Sequence, residues 1–238
     1  MMPVCLITGS AGKLGSALTR ALIGSHEIAA VYRTTKPRFP SQLRSPVDPG
    51  NSGGEKKPPR SAFCIQGDLT NKADVRRIVE VALARFGQID VVINSAADTN
   101  FHGRLMELTY DTNAVEQQLL TNCVAPMNIV SAIFQESWKN ERISNRKFNR
   151  SVVNVSSISG LCVFPGAGQA YYSASKSALN FLTMHLAYEL ADYSIRANAL
   201  CPSRFPDSVP TEKVVDAIRR LVGSNDTGQI VEVSSESE

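Results

Sequence analysis

The chain has 238 residues, 43% of them hydrophobic and 20% charged, which is typical of a soluble globular protein. At this length we expect one α/β domain over residues 1–238, and no apolar run approaches the roughly 20 residues that cross a membrane. The net charge of +3 comes from one segment, because residues 33–60 hold seven Lys/Arg and two Asp/Glu, whereas the rest of the chain has 18 basic and 20 acidic residues. The remaining surface is therefore not predicted to bind nucleic acid.

The cysteines and the N-terminus predict a reducing, cytoplasmic location. The five cysteines are dispersed and form neither a Cys-x-x-Cys pair nor a Cys/His cluster, so we expect free thiols and no metal site. The first residues, "MMPVCLITGS", enter an apolar strand directly and lack the basic segment of a signal peptide.

Apolar runs alternate with helix-like stretches along the chain. Strands are predicted at residues 4–8, 27–32, 62–66, 90–94, 151–156, 195–200 and 229–233. Helices are predicted at residues 12–24, 71–86, 112–140, 172–191 and 211–222. Most strands lack polar alternation, as expected where both faces are covered, so the order predicts a Rossmann-type doubly wound parallel sheet of about seven strands. Ligands bind such sheets beyond the carboxyl ends of the strands.

The last predicted helix has the clearest boundaries. Thr211 is the predicted N-cap, and Gly223 is the predicted end of the helix. Its apolar residues form one stripe, which consists of Val214, Val215, Ile218, Leu221 and Val222.

Residues 36–60 interrupt the alternation, because a proline-rich stretch stands where a helix is expected between the second and third strands. It holds six of the twelve prolines and shows no helical stripe, so we predict a mobile loop. The loop is either a tolerated surface insertion or a basic contact for a cofactor phosphate or an acidic partner. Residues 234–238 are predicted to form a short tail.

Residues 8–15, "TGSAGKLG", follow the first strand and open the first helix. Gly9, Gly12 and Gly15 permit a tight turn and a close approach of the backbone to a pyrophosphate, which binds the amide groups at the positive end of a helix. The loop therefore predicts a site for the phosphates of a dinucleotide.

Residues 170–181, "AYYSASKSALNF", contain two adjacent tyrosines and a lysine. On a helix Tyr172 and Lys176 share one face, whereas Tyr171 is rotated away by about 100°. A phenol beside an ammonium group is a proton donor suited to neutral pH, because the positive charge favours phenolate and lowers the phenol pKa. The pair alone also fits two ordinary helix-surface residues, so the rest of the chain decides its interpretation.

Seven ordered motifs resemble those of the short-chain dehydrogenases/reductases. They are "TGSAGKLG" (8–15), "GDLT" (67–70), "INSAA" (93–97), "LLTNCVAP" (119–126), "VVNVSSISG" (152–160), "YYSASK" (171–176) and "IRANALCPS" (195–203). The resemblance spans about residues 3–233. It implies a single Rossmann-type domain that carries both the cofactor and the substrate sites and that assembles as a homodimer or homotetramer.

The resemblance also implies a set of site residues. The catalytic residues are Asn122, Ser157, Tyr172 and Lys176. Asn122 would hold a water of the proton relay, and Tyr172 would be the general acid in reduction and the general base in oxidation. Lys176 would hold the nicotinamide ribose and, together with the positive charge of the oxidised ring, lower the phenol pKa. The cofactor contacts, besides Tyr172 and Lys176, are Gly9, Gly12, Lys13, Leu14, Gly15, Arg33, Thr34, Asp68, Leu69, Asn94, Ser95, Ala96 and Pro202. Ser95 and Ala97 depart from the Asn-Asn-Ala-Gly pattern of the family.

The catalytic serine has two candidates. The motif "NVSSISG" indicates Ser157, which lies fifteen residues before Tyr172, whereas the usual gap of thirteen indicates Ser159. We favour Ser157 and interpret the "GAGQ" region as a two-residue extension of the loop.

The end of the second strand, "AVYRTTK", predicts the cofactor. A site that prefers NAD usually has an acidic residue there for the ribose 2′-hydroxyl. Arg33 and Thr34 suit a 2′-phosphate instead, so NADP(H) is predicted over NAD(H). Lys13 adds a basic group in the glycine loop, and its position resembles that of a basic residue in pterin-reducing members.

These features predict an NADP(H)-dependent oxidoreductase that transfers hydride between the nicotinamide and a carbonyl/alcohol carbon, with a C=N or pterin-type bond as a variant. A non-catalytic redox sensor is the alternative, although a sensor needs no phenol. An extended-type epimerase or dehydratase would share the glycine spacing T-G-x-x-G-x-x-G, but those enzymes carry a further substrate-binding region.

The connection after the sixth strand is short. Only residues 203–210 separate Pro202 from the next helix, where family members commonly have a few dozen residues that form a lid. With Pro206 and Pro210 this connection is not expected to form a helical hairpin. We therefore expect a cleft that is open at the nicotinamide end, with a large or carrier-presented substrate or closure by a partner subunit. A degenerate, slow enzyme is the alternative.

Overall fold

Seven parallel strands form one sheet in the order β3-β2-β1-β4-β5-β6-β7. The computed structural model describes residues 2–39, 62–100, 102–107 and 113–235. The strands are β1 (Val4–Thr8), β2 (Glu27–Tyr32), β3 (Phe63–Gln66), β4 (Val91–Asn94), β5 (Ser151–Val155), β6 (Arg196–Pro202) and β7 (Ile230–Val233). The order reverses between β1 and β4, where Thr8 pairs with Asn94 at the carboxyl ends. The predicted doubly wound sheet is confirmed, and a ligand is expected at this reversal.

Helices cover both faces of the sheet. They are α1 (Lys13–Leu22), α2 (Lys72–Phe86), α3 (Asn113–Leu119), α4 (Ala125–Ile133), α5 (Arg142–Lys147), α6 (Ala170–Ala191) and α7 (Thr211–Gly223). The stretch predicted as one helix at 112–140 contains two π-helical segments, Leu120–Val124 and Phe134–Trp138, and its residue 112 lies outside the described residues. Short 3-10 turns lie at Leu105–Glu107 and Ile158–Gly160.

The prediction that Thr211 caps α7 is wrong. Thr211 is the first residue of the helix, and the extended Pro210 precedes it as the cap residue, with its carbonyl accepting from the Val214 N–H at 3.4 Å. No side chain caps the first amides of α7. The fixed φ of proline sets the chain direction there without a hydroxyl cap.

The core has one apolar layer on each face of the sheet. Leu6 of β1 packs into the layer that α2, α4 and α6 cover, and its neighbours Cys5 and Ile7 pack into the layer that α1 and α7 cover. Each strand therefore needs apolar residues at successive positions, which explains why the sequence lacks polar alternation.

A buried ion pair joins the amino ends of the central strands. Asp90 accepts from Arg150 Nε at 3.2 Å, from the Val4 N–H at 2.8 Å and from Gln88 Nε2 at 2.9 Å. Arg150 also donates to Asn145 Oδ1 at 2.6 Å. Because both charges are enclosed, their hydrogen bonds replace the lost hydration.

A second buried guanidinium lies beside it, at the start of β6. Arg196 donates to Asn149 Oδ1 at 2.8 Å and to the carbonyls of Leu221 and Val222 at 3.0 and 2.9 Å. Those two carbonyls lie in the last turn of α7, so the guanidinium satisfies the end of that helix and faces the negative end of its dipole.

The predicted loop at 36–60 lies mostly outside the described residues, which resume at residue 62, and the predicted tail at 234–238 is described only to residue 235. Across the described parts of the chain, no helix has both the length and the apolar character that crossing a bilayer requires.

Candidate active site

The glycine loop brings the backbone of β1 against that of the β4 end. Gly9 has φ +67°, and a Cβ there would lie 2.7 Å from the Ala96 Cα. A Cβ on Gly15 would lie 2.8 Å from the Ser10 Cα. Gly9 therefore requires glycine for conformation and for space, whereas Gly15 requires it for space alone. The turn closes with a hydrogen bond of 2.9 Å from the Gly12 N–H to the Gly9 carbonyl.

The start of α1 leaves donors directed into the cleft region. Gly12 is the cap residue, no side chain caps the helix, and the first turn holds no acidic residue. The first amides of a helix lack intrahelical acceptors and favour an anion. The loop geometry and these amides fit the pyrophosphate of a dinucleotide.

A cleft of about 1090 Å³ opens over the carboxyl ends of the strands. It brings together most of the residues that the sequence singles out. Its lining includes Gly9, Gly12, Lys13, Leu14, Gly15, Arg33, Thr34, Asp68, Leu69, Ser95, Ala96, Ser157, Tyr172, Lys176 and Pro202. The lining does not include Tyr171, Asn94 or Asn122.

Asn94 and Asn122 are buried, each directly beside a residue that lines the cleft. Asn94 donates through Nδ2 to Asn154 Oδ1 at 2.8 Å, across β4 and β5. Asn122 accepts from the Asp98 N–H at 2.7 Å and donates to the Asp98 carbonyl at 2.8 Å and to Ser175 Oγ at 3.2 Å. The Asn122 amide thus ties the loop after β4 to α6, and the π-helical segment carries it there.

Ser157 is the serine that contacts the phenol. It shares a side-chain hydrogen bond with Tyr172, and its Oγ accepts from the Ser159 N–H at 3.2 Å. Ser159, the alternative from the sequence spacing, lies in the 3-10 turn that Ser157 caps.

Lys176 reaches the same place from the first turns of α6. Its side chain is 1% exposed, and Nζ donates to the Val155 carbonyl at 2.9 Å. The ammonium lies 5.8 Å from the centre of the Tyr172 ring. Burial lowers the pKa of Lys176 to about 8, although the nearby Cys201 and Cys123 oppose this shift.

The phenol of Tyr172 departs from the sequence expectation. Its pKa is raised above the usual value, first because burial disfavours phenolate and further because of Cys201, while the hydrogen bond from Ser157 opposes the shift. The lowering of the pKa was expected from Lys176 together with an oxidised nicotinamide ring. Without that ring, burial of the phenol decides the direction of the pKa shift.

Three residues that sequence reasoning missed hold Ser157 against α6. Ser156 Oγ donates to the Lys176 carbonyl at 3.2 Å, and Ser177 Oγ donates to the Gly160 carbonyl at 2.7 Å. A Cβ on Gly160 would lie 2.7 Å from the Lys176 carbonyl carbon. Only the Gly160 of "SSISG" gave a sequence signal, since serines at turns and on helices are common.

The far end of the cleft is basic. Arg33, Thr34 and Lys13 line it as exposed side chains, and no carboxylate in the described residues pairs with Arg33 or Lys13. Asp68 also lines the cleft, and its Oδ1 accepts from the N–H and the hydroxyl of Thr70 at 2.9 and 2.8 Å. The cations therefore remain available for an anionic group of a ligand.

Residues 203–210 form the compact connection that their length predicts. The Ser208 N–H donates to the Arg204 carbonyl at 2.8 Å, and Val209 is buried. Arg204, Phe205 and Asp207 nevertheless line the cleft, a contribution that the sequence did not indicate.

The fold and the glycine-lined cleft define a protein of the Rossmann type with room for a dinucleotide beyond the carboxyl ends of the strands. The sequence matches the short chain dehydrogenase family over residues 3–216. The chain therefore belongs to the short-chain dehydrogenase family.

Relatives and solved structures agree with this assignment. The bovine (Bos taurus) 3-hydroxyacyl-CoA dehydrogenase type-2 is 26% identical, over 93% of this chain and 80% of that protein. The 3-oxoacyl-acyl-carrier-protein reductase of Thermotoga maritima is 30% identical, over 91% of this chain and 79% of that protein. A solved NADH-dependent reductase complexed with NAD shares the fold with a TM-score of 0.76 at 21% identity, covering 99% of this chain and 96% of that one.

Proposed function

We propose that the protein is an NADP(H)-dependent oxidoreductase that interconverts a carbonyl and an alcohol, with Tyr172 as the general acid and base. A C=N or pterin-type bond is a variant substrate. The observation that carries the proposal is the convergence of Ser157, Tyr172 and Lys176 at one end of a cleft whose other end is a glycine-lined phosphate cradle.

Each side chain has a role that follows from its contacts. A bound nicotinamide would supply or accept the hydride. Tyr172 is protonated at neutral pH, as a phenol ordinarily is, and burial raises its pKa further, so it can donate a proton to a carbonyl oxygen. Ser157 holds the phenol and can donate to the same substrate oxygen. Lys176 is a buried donor with one acceptor among the described residues, the Val155 carbonyl, which leaves N–H groups for a ribose.

The first test is a spectrophotometric screen of NADPH oxidation against ketones, aldehydes, quinones and pterins, repeated with Tyr172→Phe. We expect turnover by the native protein and a loss of about 10³-fold in kcat for the variant, with NADPH affinity retained. Retained turnover in Tyr172→Phe would show that the acid is misassigned. A protein that binds NADPH and turns over no substrate would instead favour the redox sensor.

The preference for NADP(H) rests on Arg33 and Thr34, with Lys13 nearby. Arg33→Ala should lower kcat/KM with NADPH by about tenfold or more and change kcat/KM with NADH little, because a charge-assisted hydrogen bond to the 2′-phosphate is lost. Arg219→Ala, an exposed arginine of α7, is the matched control. Equal or better use of NADH by the native protein would refute the preference.

We further propose a large or carrier-presented substrate, or closure of the cleft by a partner subunit. The short connection 203–210 supports this, and the names of two relatives refer to acyl groups on coenzyme A or a carrier protein. The proposed assembly is a homodimer or homotetramer, and an exposed apolar stripe on α6 supports it. The stripe consists of Phe181, Met184 and Tyr188. Sedimentation of Tyr188→Glu beside the native protein tests the assembly.

The cytoplasm is the proposed location. All five cysteines are unpaired in the structure, which suits a reducing compartment. Fractionation of cells that express the tagged protein tests this proposal.

A further inference from the structure

Helix α5 and the turn before it carry a cluster of exposed positive charge. Residues 139–147 hold four basic residues and one acidic residue, Glu141, although the chain outside residues 33–60 has 18 basic and 20 acidic residues overall. The four basic side chains are all exposed, and they are Lys139, Arg142, Arg146 and Lys147. None of them forms an ion pair with a carboxylate in the part of the chain that the structure describes. We name residues 139–147 the basic patch.

Buried contacts beneath the basic patch hold it in one orientation. Asn145 donates to the carbonyls of Trp138 and Tyr193, both at 2.9 Å, and accepts from Arg150 at 2.6 Å. Trp138 is fully buried and donates to the Ile89 carbonyl at 2.7 Å. Ile89 precedes β4 and Arg150 precedes β5, so the patch lies at the amino ends of the strands. The cleft opens at the other ends, and the two surfaces are therefore separate.

An exposed apolar side chain lies among these cations. Ile143 is 86% exposed, and Arg146 and Lys147 follow it by three and four positions, so they neighbour it on the surface of α5. A single exposed apolar residue is ordinary in itself. Val163, which is 83% exposed, has different surroundings, because residues 151–175 contain no charged side chain. Ile143 thus combines an apolar group with a positive surface.

The stability of α5 does not account for all of these charges. Arg146 and Lys147 lie in the last turn of the helix, where cations interact favourably with its negative end. Arg142 is instead the first residue of α5, the first turn has no acidic residue, and Lys139 precedes the helix. A cation at the positive end of a helix is locally unfavourable. These two charges are therefore better explained by an anionic partner outside the chain.

We infer that the basic patch binds the surface of an anionic lipid bilayer, with its cations at the headgroups and Ile143 among the acyl chains. A bilayer offers both complements together, a negative surface above an apolar layer. Each cation near such a surface strengthens binding by about fivefold, and burial of Ile143 adds about tenfold or more. Attachment through the amino ends of the strands leaves the cleft open to the aqueous phase, so this inference does not rest on the proposed function.

Sedimentation with sucrose-loaded vesicles tests the role of Ile143. The whole protein is mixed with vesicles of phosphatidylcholine, either alone or with about 30% phosphatidylserine. We expect the anionic vesicles to bind at least about tenfold more tightly than the neutral ones. Ile143→Ser should weaken binding to the anionic vesicles by about fivefold or more, whereas Ile143→Leu should retain it. Val163→Ser, which removes an equally exposed apolar side chain elsewhere, is the matched control.

A pair of charge variants tests the cations. Arg142→Gln/Arg146→Gln should weaken binding to the anionic vesicles by about tenfold or more and reduce its dependence on salt. Lys72→Gln/Arg76→Gln removes two exposed charges from α2 and is the matched control for net charge. All of these variants should keep the native midpoint of unfolding, because the substituted side chains are exposed.

Several results would overturn the inference. Equal binding to neutral and anionic vesicles, or no binding to either, excludes an anionic bilayer as the partner. Equal losses in the two charge variants would show an effect of net charge alone, and native binding by Ile143→Ser would show that Ile143 does not enter the bilayer. Retention of the native protein on immobilised polyglutamate, without vesicle binding and with loss in the Arg142→Gln/Arg146→Gln variant, would instead indicate an acidic protein partner.

Discussion

The two ends of the central strands treat buried positive charge in opposite ways. At the amino ends, Arg150 is paired with Asp90 and Arg196 donates to carbonyls of α7, so each guanidinium has several fixed acceptors. At the carboxyl ends, Lys176 is equally enclosed but has one acceptor among the described residues, and burial lowers its pKa to about 8. The two arginines therefore have several hydrogen-bond acceptors within the chain, whereas the Lys176 ammonium has only one among the described residues.

This difference separates stabilising residues from functional ones. A buried charge whose hydrogen bonds are all satisfied contributes to the native state through its partners, and removing a partner is costly. A buried charge with unused donors is unfavourable until a ligand supplies the missing acceptors. Burial alone does not distinguish these two kinds of buried charge, but the number of hydrogen-bond partners does.

The largest expected effect on stability follows from removing one partner of the buried ion pair between Arg150 and Asp90. Arg150→Met should lower the free energy of unfolding by about 3–5 kcal/mol, because Asp90 is left as an uncompensated buried carboxylate. Chemical denaturation measures this value, and Arg146→Met, an exposed residue of α5, is the control. Turnover per folded molecule should stay near the native value. A loss below about 1 kcal/mol would show that the pair is no more important than a surface ion pair.

Removing the Lys176 charge should change the free energy of unfolding in the opposite direction. Lys176→Met should raise the free energy of unfolding of the cofactor-free protein by about 1–3 kcal/mol at pH 7, because a desolvated ammonium is replaced by an apolar chain of similar length. The same variant should lose turnover and bind the cofactor more weakly. Denaturant titration without cofactor, paired with kinetics, tests both parts. A destabilised variant would contradict the view that Lys176 is strained by burial.

A slightly smaller effect is expected in the pH dependence of stability, which tests whether burial lowers the Lys176 pKa. Lys176 has a pKa of about 8 in the folded protein against an ordinary value of 10.5, so between these pH values the unfolded chain binds more protons. Its contribution to stability therefore rises with pH from about 8 to 10.5 and is constant below about 8. The buried thiols of Cys5 and Cys201 and the Tyr172 phenol have raised pKa values and act in the opposite direction.

The difference between the native protein and Lys176→Met isolates the lysine. Their gap in stability should narrow as pH rises from 8 to 10, because the neutral lysine loses its disadvantage. A gap that stays constant over that range would contradict the lowered pKa.

Backbone requirements could be predicted from the sequence more fully than side-chain partners. The glycines of residues 8–15 specify a tight turn, and apolar runs specify strands that are covered on both faces. The glycine turn and the sheet could therefore be predicted from the local sequence. The four-residue spacing placed Tyr172 and Lys176 on one face. The cap of α7 was mispredicted, because Pro210 sets the start of the helix without the Thr211 hydroxyl.

Tertiary surroundings account for what the sequence did not predict. The direction of the Tyr172 pKa shift depends on burial, which no local pattern encodes. The Asn122 amide bonds to the backbone of Asp98, which lies 24 positions earlier in the loop directly after β4. Ser156 donates to a carbonyl of α6, and Ser177 of α6 donates to the Gly160 carbonyl in the turn after β5. A single serine in a sequence does not indicate that its hydroxyl makes such a hydrogen bond.

The smallest expected effect tests how Ser157 is positioned. Ser177→Ala removes the 2.7 Å hydrogen bond to the Gly160 carbonyl, so the turn that carries Ser157 is held to α6 less firmly. Stability should fall by about 0.5–1 kcal/mol, and kcat should fall by about two- to fivefold, with KM for NADPH unchanged.

The pH profile of kcat distinguishes positioning from simple loss of stability. The bond from Ser157 opposes the rise in the Tyr172 pKa, so a looser Ser157 should move the limb that reports Tyr172 to higher pH. Ser173→Ala, one helical turn earlier on α6, should leave that limb in place. If Ser177→Ala lowers stability by the expected amount but the two profiles coincide, Ser177 supports the fold and does not position Ser157.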